Sequence, residues 1–403
     1  MPLPDRELIS LGVLGAGAMG SGIAQVAAVA GHEVVLQDID EAAIARARGG
    51  IDKALTRETE KSRMTVAAAD AARGRIRYVA SADLVAFAPC ALVIEAIVER
   101  LGPKRETFAA LERVVAPDAM LATNTSALSI TAIAGGCQRP ERVVGLHFFN
   151  PAPVMPLVEV VRGEATAEEV VEAARALVQR WGKTAVVAAD TPGFIVNRVA
   201  RPFYGEALRI MDEGIADCAT IDWAMRTLGG FKLGPFELMD LIGNDVNFAV
   251  TSAVYEGFFF DPRYKPSLTQ RHLVDANLLG RKTGRGYYDY RDGAVRPAPR
   301  EDQALGRAIL DRILAMLINE AVDAVFWGVA TPADLDLAMV KGVNYPRGLI
   351  AWAEELGYGV VLARMEGLQA EYGEDRYRPS PLLRRLAASA GTLRAASAQT
   401  LGA

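Results

Sequence analysis

Two residues with complementary chemistry, His147 and Glu159, stand close together in the chain, each in an apolar setting. His147 lies near the end of the apolar run 142–148, and Glu159 interrupts the apolar run 157–161. A carboxylate within a strand is costly to bury unless it is paired. If the two runs are neighbouring strands, the carboxylate would fix the imidazole tautomer and stabilise the imidazolium. His147 is therefore a candidate general base. Alternatively, His147 is a core histidine bonded to backbone, and Glu159 points outward from an edge strand.

Two further polar positions could join this pair. Asn124-Thr125-Ser126 follows the apolar run 120–123, at the carboxyl end of a predicted strand, where open α/β sheets bind ligands. Asn197 lies one turn into the helix that follows Pro192-Gly193 and can present its amide to the same crevice. Plainer roles exist for both, because Ser126 could cap the following helix and Asn197 could be a surface residue.

A glycine-rich segment, Gly15-Ala16-Gly17-Ala18-Met19-Gly20, joins the apolar run 8–14 to an alanine-rich helical pattern. Gly15 permits a tight turn, Gly17 lets the backbone approach a pyrophosphate, and Gly20 lets the helix pack close to the strand. The N–H groups at the start of that helix favour the same anion. Asp38 closes the next apolar run and can accept both ribose hydroxyls, while repelling a 2′-phosphate. The segment predicts binding of NAD rather than NADP.

The pattern around these residues predicts their scaffold. Apolar runs alternate with amphipathic helices over the first 190 residues, which is typical of a Rossmann-type, doubly wound parallel sheet. The predicted strands are 8–14, 33–36, 91–98, 120–123, 142–148, 157–161 and 184–188. The predicted helices are 21–30, 41–73, 103–115, 128–134 and 167–181, and after residue 193 long helices dominate, beginning with 194–212.

The helical part contains an internal repeat. The segment from Gly205-Glu206-Ala207 to Gly243 recurs 114 residues later, from Asn319-Glu320-Ala321 to Gly357. Register kept across tight turns indicates two copies of one all-α domain. We predict a nucleotide-binding domain at 1–190, a first helical domain at 191–298 and a second at 299–403. The small, polar end from residue 387 is predicted to be frayed.

Composition narrows the class of protein. Three scattered cysteines (Cys90, Cys137 and Cys218) are too few for a disulfide framework or a metal site, which fits a reducing compartment. A net charge of −5 argues against nucleic-acid binding. The chain has no charge-free apolar stretch of membrane-spanning length and does not start like a signal peptide. We expect a cytoplasmic protein without a nucleic-acid or membrane partner.

Taken together, these motifs resemble the L-3-hydroxyacyl-CoA dehydrogenase family, and most of all its bacterial 3-hydroxybutyryl-CoA dehydrogenases. The glycine-rich segment carries the likeness together with segments 93–99, 124–126, 147–151, 191–198 and 280–288 and with Glu159. The resemblance spans residues 8–290, and the repeat resembles the duplicated helical domain of longer family members.

The resemblance implies NAD-dependent, reversible oxidation of a short (S)-3-hydroxyacyl-CoA, such as 3-hydroxybutyryl-CoA, to the 3-oxoacyl-CoA. It implies a catalytic set of His147, Glu159, Ser126 and Asn197. The cofactor-binding residues it implies are Gly15, Gly17, Ala18, Met19, Gly20, Asp38, Glu99, Lys104, Asn124, Asn150 and Lys282. The CoA contacts it implies are Lys61 and Ser126, although Ala54 replaces an expected serine.

Three alternatives stay open. The substrate could be the dicarboxylic 3-hydroxyadipyl-CoA of phenylacetate breakdown, or a free hydroxy acid such as gulonate; the chain could also be a binding protein that has lost activity. Asp311 occupies the repeat position of Asn197, so we expect no second active site. The second helical copy is expected to form an internal pseudo-dimer with the first or to support a homodimer.

Overall fold

A computed structural model describes residues 9–389 and 392–393. It divides into two compact units, Met1–Thr191 and Pro192–Ala403. The boundary follows the change from alternating strands and helices to helices alone. The division of the helical part near residue 298 stays a prediction. Of the end predicted to be frayed, residues 387–389 are helical instead, and most of the rest lies outside the described residues. Among the residues described, no helix combines the length and apolar character needed to cross a membrane.

The first unit is built on one eight-stranded sheet. Its strands are β1 Ser10–Leu14, β2 Glu33–Asp38, β3 Ile76–Ala80, β4 Leu92–Glu95, β5 Met120–Thr123, β6 Val143–Phe148, β7 Leu157–Arg162 and β8 Thr184–Ala189. Its helices are α1 Ala18–Val29, α2 Glu41–Glu60, α3 Val66–Gly74, α4 Leu101–Val114, α5 Ile130–Ala134 and α6 Glu168–Arg180. The strand order is β3-β2-β1-β4-β5-β6-β7-β8, which confirms the doubly wound arrangement.

The sheet departs from the predicted all-parallel form at one place. Strands β1 to β6 pair in parallel, whereas β7 runs antiparallel to β6, and β8 is parallel to β7. A parallel crossover needs a dozen or more residues, and only residues 149–156 connect β6 to β7. The short connection therefore forces the chain to return beside itself.

Other differences from prediction have local causes. Strand β3 was missed because it alternates at the sheet edge and carries a charged Arg77 instead of a continuous apolar run. The helix predicted over 41–73 is two helices, since Ser62 is left-handed (φ 55°) and Thr65 caps α3. The helix predicted over 194–212 is broken at Ala200, since Pro202 has no N–H to continue the ladder.

The second unit is built from helices in its described residues, apart from isolated β-bridges that Arg285 forms with Gly280 and with Asp289. Its helices are α7 Val196–Val199, α8 Arg201–Asp212, α9 Cys218–Trp223, α10 Pro235–Ile242, α11 Asn244–Gly257, α12 Leu268–Asp275, α13 Gln303–Phe326, α14 Pro332–Gly342, α15 Leu349–Leu356, α16 Tyr358–Tyr372 and α17 Pro381–Ser389. The helices α9 to α12 recur in order as α14 to α17. The repeat even keeps its caps: the Asp222 carboxylate accepts the first N–H groups of α10, and the Asp336 carboxylate accepts those of α15.

A buried ionic cluster joins the two copies within this unit. Glu320, in α13, accepts hydrogen bonds from Arg198 Nε (2.6 Å), Arg263 Nη1 (3.2 Å) and Tyr264 Oη (2.6 Å). Asp323 adds a second carboxylate to both arginines. Burial raises the pKa of Glu320, but the two guanidinium groups and the phenol outweigh it and hold that pKa below its ordinary value. Glu320 is therefore ionised.

The same cluster occurs a second time with the copies exchanged. Glu206, in α8, is bound by Arg312 Nε (3.0 Å), by Tyr377 Oη (3.0 Å) and by Arg376. Each member occupies the repeat position of a member of the first cluster, at an offset of 113 or 114 residues. Reciprocal contacts of this kind are the mark of an isologous, two-fold interface.

Replacing Glu320 by glutamine should lower the free energy of unfolding by about 3–5 kcal/mol, because it leaves buried guanidinium charge uncompensated. Urea denaturation measures this. Glu366→Gln is the matched control, since that carboxylate pairs with Arg384 at the surface and should matter by about 0–1 kcal/mol.

The difference between wild type and Glu320→Gln should also depend on pH. Because the folded-state pKa of Glu320 is lowered, its stabilisation is complete above the ordinary carboxyl pKa of about 4.3 and is lost as pH falls through the folded value. Equal stability of the two proteins at neutral pH would contradict the assigned importance of the cluster.

Candidate functional site

The antiparallel turn between β6 and β7 places His147 directly opposite Glu159. His147 Nδ1 lies 2.6 Å from Glu159 Oε2. The glutamate is fully buried and the histidine is 5% exposed. Strand β7 lies between β6 and β8, so Glu159 is not on an edge strand. The predicted pairing of the two side chains is thus present in the sheet.

This pairing determines what the imidazole can do. An ionised carboxylate only accepts hydrogen bonds, so it selects the tautomer that carries its proton on Nδ1. The other ring nitrogen, Nε2, is then the basic atom that can exchange a proton with a ligand. Phe149 packs against the ring, with centroids 4.5 Å apart, and helps to fix its orientation.

Asn124 ties the end of β5 to the end of β6. Its Oδ1 accepts a hydrogen bond from Phe148 N at 2.9 Å, next to His147 in the chain, and its own N–H donates to Glu95 O. Asn124 therefore positions the strand end that carries the histidine.

Ser126 is held by Glu99 and does not cap the helix that follows it. Glu99 Oε1 accepts from Ser126 N (2.8 Å), from Ser126 Oγ (3.2 Å) and from Thr125 Oγ1 (2.6 Å). The cap of α5 is Ser129, whose hydroxyl accepts from Ala132 N. The sequence alternative of Ser126 as a helix cap is therefore wrong, and its hydroxyl lies at the carboxyl edge of the sheet.

A buried chain of charges supports Glu99. Lys104 Nζ, only 1% exposed, binds Glu95 Oε1 at 2.7 Å and Glu99 Oε2 at 3.2 Å. Glu95 also accepts from Thr123 Oγ1 at 2.7 Å. Burial raises the pKa of Glu99, but Lys104 and the donors of Thr125 and Ser126 outweigh it, so the pKa lies below its ordinary value. Glu99 is thus a fixed anion that orients the Ser126 loop.

The glycine-rich turn depends on close backbone contacts at two of its glycines. Gly15 is left-handed (φ 104°), and a Cβ there would lie 2.5 Å from Ala96 O. A Cβ on Gly20 would lie 1.8 Å from Gly15 O, so only glycine lets α1 start this close to β1. Gly17 faces open space, with no atom within 4 Å of a Cβ placed there. Together with Ala18 and Met19, it presents the first turn of α1, an anion-binding feature, to a ligand.

Asp38 stands beside this turn at the end of β2. Its Oδ2 accepts from Ala16 N at 2.7 Å, and its Oδ1 accepts from Asp40 N at 3.0 Å. Each carboxylate oxygen keeps a lone pair that can accept a ribose hydroxyl. The same carboxylate therefore shapes the turn and offers acceptors to a nucleotide.

Four predicted residues remain: Asn150, Lys61, Asn197 and Lys282. Asn150 follows β6, and Lys61 is the exposed C-cap of α2. Asn197 lies in α7 and Lys282 in a short 3-10 turn, both in the second unit. Lys282 Nζ pairs with Asp245 at 2.6 Å.

Two supporting residues were missed by sequence reasoning. Glu95 is a carboxylate inside an apolar run, the same signal that singled out Glu159. Asp190, at the end of β8, accepts from Ser129 Oγ and from the N–H groups of Ile130 and Thr131. Asp190 was not singled out because an aspartate shortly before a Pro-Gly turn is an ordinary loop residue in sequence, and its bonds to α5 join segments about 60 residues apart.

Comparison with known protein families matches nearly the whole chain. A model described as the NAD-binding domain of 3-hydroxyacyl-CoA dehydrogenase matches residues 10–191. The model of the C-terminal domain of the same enzyme matches twice, at residues 193–290 and 309–401. The chain belongs to the 3-hydroxyacyl-CoA dehydrogenase family. The double match agrees with two copies of the helical domain in this family member.

Curated relatives are similar over most of their length. A 3-hydroxyadipyl-CoA dehydrogenase of Escherichia coli K12 is 41% identical, covering 94% of this chain and 97% of the relative. A 3-hydroxybutyryl-CoA dehydrogenase of Bradyrhizobium diazoefficiens is 42% identical, covering 72% of this chain and 97% of the relative. The shorter relative lacks room for the second helical copy.

Solved structures of the family agree with the fold. The crystal structure of 3-hydroxybutyryl-CoA dehydrogenase from Escherichia coli K12 superposes with a TM-score of 0.89 at 39% identity, covering 94% of this chain and 98% of that one. That of (S)-3-hydroxybutyryl-CoA dehydrogenase from Ralstonia eutropha gives 0.67 at 38% identity, covering 70% and 99%. The protein is an NAD-dependent 3-hydroxyacyl-CoA dehydrogenase, and the comparisons do not favour the inactive binding protein or the dehydrogenase of a free hydroxy acid.

Replacing Glu159 by glutamine should lower the kcat of this dehydrogenase by about 10²–10⁴-fold. The neutral amide can donate to Nδ1 and so select the tautomer whose Nε2 already carries a proton. Stopped-flow NADH absorbance measures the loss. Glu169→Gln, the same change at the surface of α6, is the control and should leave kcat unchanged. Wild-type turnover in Glu159→Gln would show that catalysis does not need the carboxylate of Glu159.

Proposed function

We propose that this protein oxidises short-chain (S)-3-hydroxyacyl-CoA thioesters reversibly to 3-oxoacyl-CoA, with His147 as the catalytic base. The observation that carries the proposal is the buried 2.6 Å contact between His147 and Glu159, in a chain of this family. A histidine with one nitrogen engaged by a carboxylate is built to move a proton at its other nitrogen.

His147 removes the proton of the substrate hydroxyl through Nε2 during oxidation and returns it during reduction. Glu159 holds the ring and stabilises the imidazolium that forms. As charge develops on the reacting oxygen, the Ser126 hydroxyl and the Asn197 amide orient and stabilise it by hydrogen bonding. Glu99 keeps the Ser126 loop in place, and Asn124 keeps the end of β6 in place.

The nucleotide site consists of the glycine-rich turn and its neighbours. Gly15, Gly17, Ala18, Met19 and Gly20 would hold the pyrophosphate, and Asp38 would accept the adenosine ribose. The other residues that we place in the cofactor site are Glu99, Lys104, Asn124, Asn150 and Lys282. NAD supplies the hydride acceptor when it is bound. The bare face at Gly17 and the acceptors of Asp38 support this assignment.

The CoA moiety would contact the surface at the end of α2. Lys61 is exposed there and forms no ion pair among the described residues, so its ammonium is available to a phosphate. The relatives suggest two acyl groups of short length, the methyl-ended hydroxybutyryl group and the carboxylate-ended hydroxyadipyl group.

The function is tested with acetoacetyl-CoA and free acetoacetate. The wild type should oxidise NADH, and much less NADPH, in the presence of acetoacetyl-CoA only. His147→Ala should bind NADH as before, measured by fluorescence titration, while its kcat falls by at least about 10²-fold. Activity with free acetoacetate would overturn the substrate class, and wild-type turnover in His147→Ala would overturn the base.

We further propose that the second helical copy is the built-in partner of the first, forming an internal pseudo-dimer in a cytoplasmic enzyme. The reciprocal clusters around Glu206 and Glu320 support this role. Light scattering should therefore give the mass of one chain for the full-length protein. Removing residues 299–403 should cause association or loss of solubility, because it removes the partners of Glu206 and exposes the face of α8 that carries this buried glutamate. A truncated protein that stays stable, soluble and monomeric would contradict the packing role.

A further inference from the structure

One buried cation in the helical unit has no counter-charge. Arg201 is the first residue of α8 and is 6% exposed. Its side chain makes one hydrogen bond, from Nη1 to Thr251 Oγ1 at 3.0 Å. Its guanidinium also lies 5.0 Å from the centroid of the Tyr204 ring. Within residues 9–389 and 392–393, no carboxylate lies within ion-pair distance of it.

Every other buried arginine of the described residues has a carboxylate partner. They are Arg142, Arg198, Arg263, Arg312 and Arg376. Burial lowers the pKa of Arg201, which reflects the cost of holding this charge without compensation. A guanidinium stays charged nevertheless, so the fold keeps an uncompensated cation at this position.

A second donor beside Arg201 also lacks an acceptor. The Tyr345 hydroxyl is buried without a hydrogen-bond partner, and so is Arg201 Nε. The two groups lie close enough for each to shift the pKa of the other through their electrostatic interaction. Buried donors without acceptors are rare in proteins and call for an explanation such as a ligand. An anionic oxygen would satisfy both.

The repeat shows that the fold does not require these groups. The position of Arg201 is taken by Ala315 in the second copy, and Tyr345 corresponds to Phe231 in the first. The cation therefore belongs to the copy that carries Asn197. The second copy contributes the phenol.

Arg201 follows Asn197 by one helical turn. The helix is interrupted at Ala200, between α7 and α8, but the dihedrals of Ala200 stay in the right-handed region (φ −79°, ψ −8°). Positions 197 and 201 are therefore four residues apart on a right-handed path, which corresponds to about 6 Å of helical rise. In a hydroxyadipyl group, C3 and the terminal carboxyl carbon are separated by three carbon–carbon bonds, a comparable span. A ligand whose C3 oxygen meets Asn197 would therefore bring an acyl end within reach of Arg201.

We propose that Arg201 is a specificity-determining residue that binds the terminal carboxylate of a dicarboxylic 3-hydroxyacyl-CoA, with the Tyr345 hydroxyl as a second donor. The inference rests on the proposed function, because it uses Asn197 as the residue that meets the C3 oxygen. Arginine is suited to this task, since its planar fork pairs with a carboxylate through two charge-assisted hydrogen bonds. A methyl-ended chain would leave the buried cation uncompensated.

The test compares 3-hydroxyadipyl-CoA with 3-hydroxyhexanoyl-CoA, which has the same chain length but ends in a methyl group. The wild type should have the higher kcat/KM for the dicarboxylic substrate. Arg201→Gln should lower kcat/KM for 3-hydroxyadipyl-CoA by about 30- to 1000-fold and leave or raise that for 3-hydroxyhexanoyl-CoA. Tyr345→Phe, which removes only the hydroxyl, should lower the first value by about 10-fold and spare the second.

Competition with adipyl-CoA and hexanoyl-CoA, which lack the reacting hydroxyl, separates binding from chemistry and needs no variant. The wild type should be inhibited more strongly by adipyl-CoA. Equal inhibition, or equal kcat/KM for the two substrates, overturns the role of Arg201 while leaving the dehydrogenase function intact. An equal loss for both substrates in Arg201→Gln also overturns it, since a structural role would act on both. Inactivity of the wild type with both substrates and with acetoacetyl-CoA overturns the proposed function itself.

Discussion

The contact between His147 and Glu159 depends on one reversal of strand direction. An ionisable pair this deeply buried is tolerated only when each group satisfies the other. The short connection after β6 brings β7 back antiparallel and sets the two residues opposite each other in the sheet. Strand β8 pairs with the other edge of β7, so β7 is an interior strand and Glu159 is buried from solvent. Asn124 ties the end of β5 to the end of β6, and Asp190, which follows β8, anchors the start of α5.

Much of this could be predicted from sequence, because the signals were local. The glycine-rich segment, the acid after β2 and a carboxylate inside an apolar strand each have a direct physical meaning, and the fold they indicated is confirmed. The direction of β7 and the partners of Ser126 could not be obtained in this way, because they depend on contacts between distant segments. Glu99 was assigned to the cofactor site by resemblance, whereas its hold on the Ser126 loop appears only when β4 and β5 pair and bring the loops that follow them together.

The helical unit shows how duplication redistributes charge. In each copy, one buried glutamate is bound by two arginines and a tyrosine of the other copy. Such buried pairs add little net stability over apolar packing, but breaking one partner is severe, so they favour one arrangement of the copies over others. Where the two copies differ in sequence, as at Arg201 and Ala315, the unit is no longer bound by symmetry and has room for specialisation.

Asp38 both supports the glycine-rich turn and offers acceptors to the ribose, and these two roles limit how readily the preference for NAD over NADP can change in evolution. A chain that switched to the phosphorylated coenzyme would have to discard this acid, yet its Oδ2 also secures Ala16 N in the turn. Losing the acid would leave that backbone donor without its acceptor and loosen the loop that receives either coenzyme. A successful switch would need a compensating side chain to take over the backbone bond, so single-step changes of coenzyme are disfavoured in this scaffold.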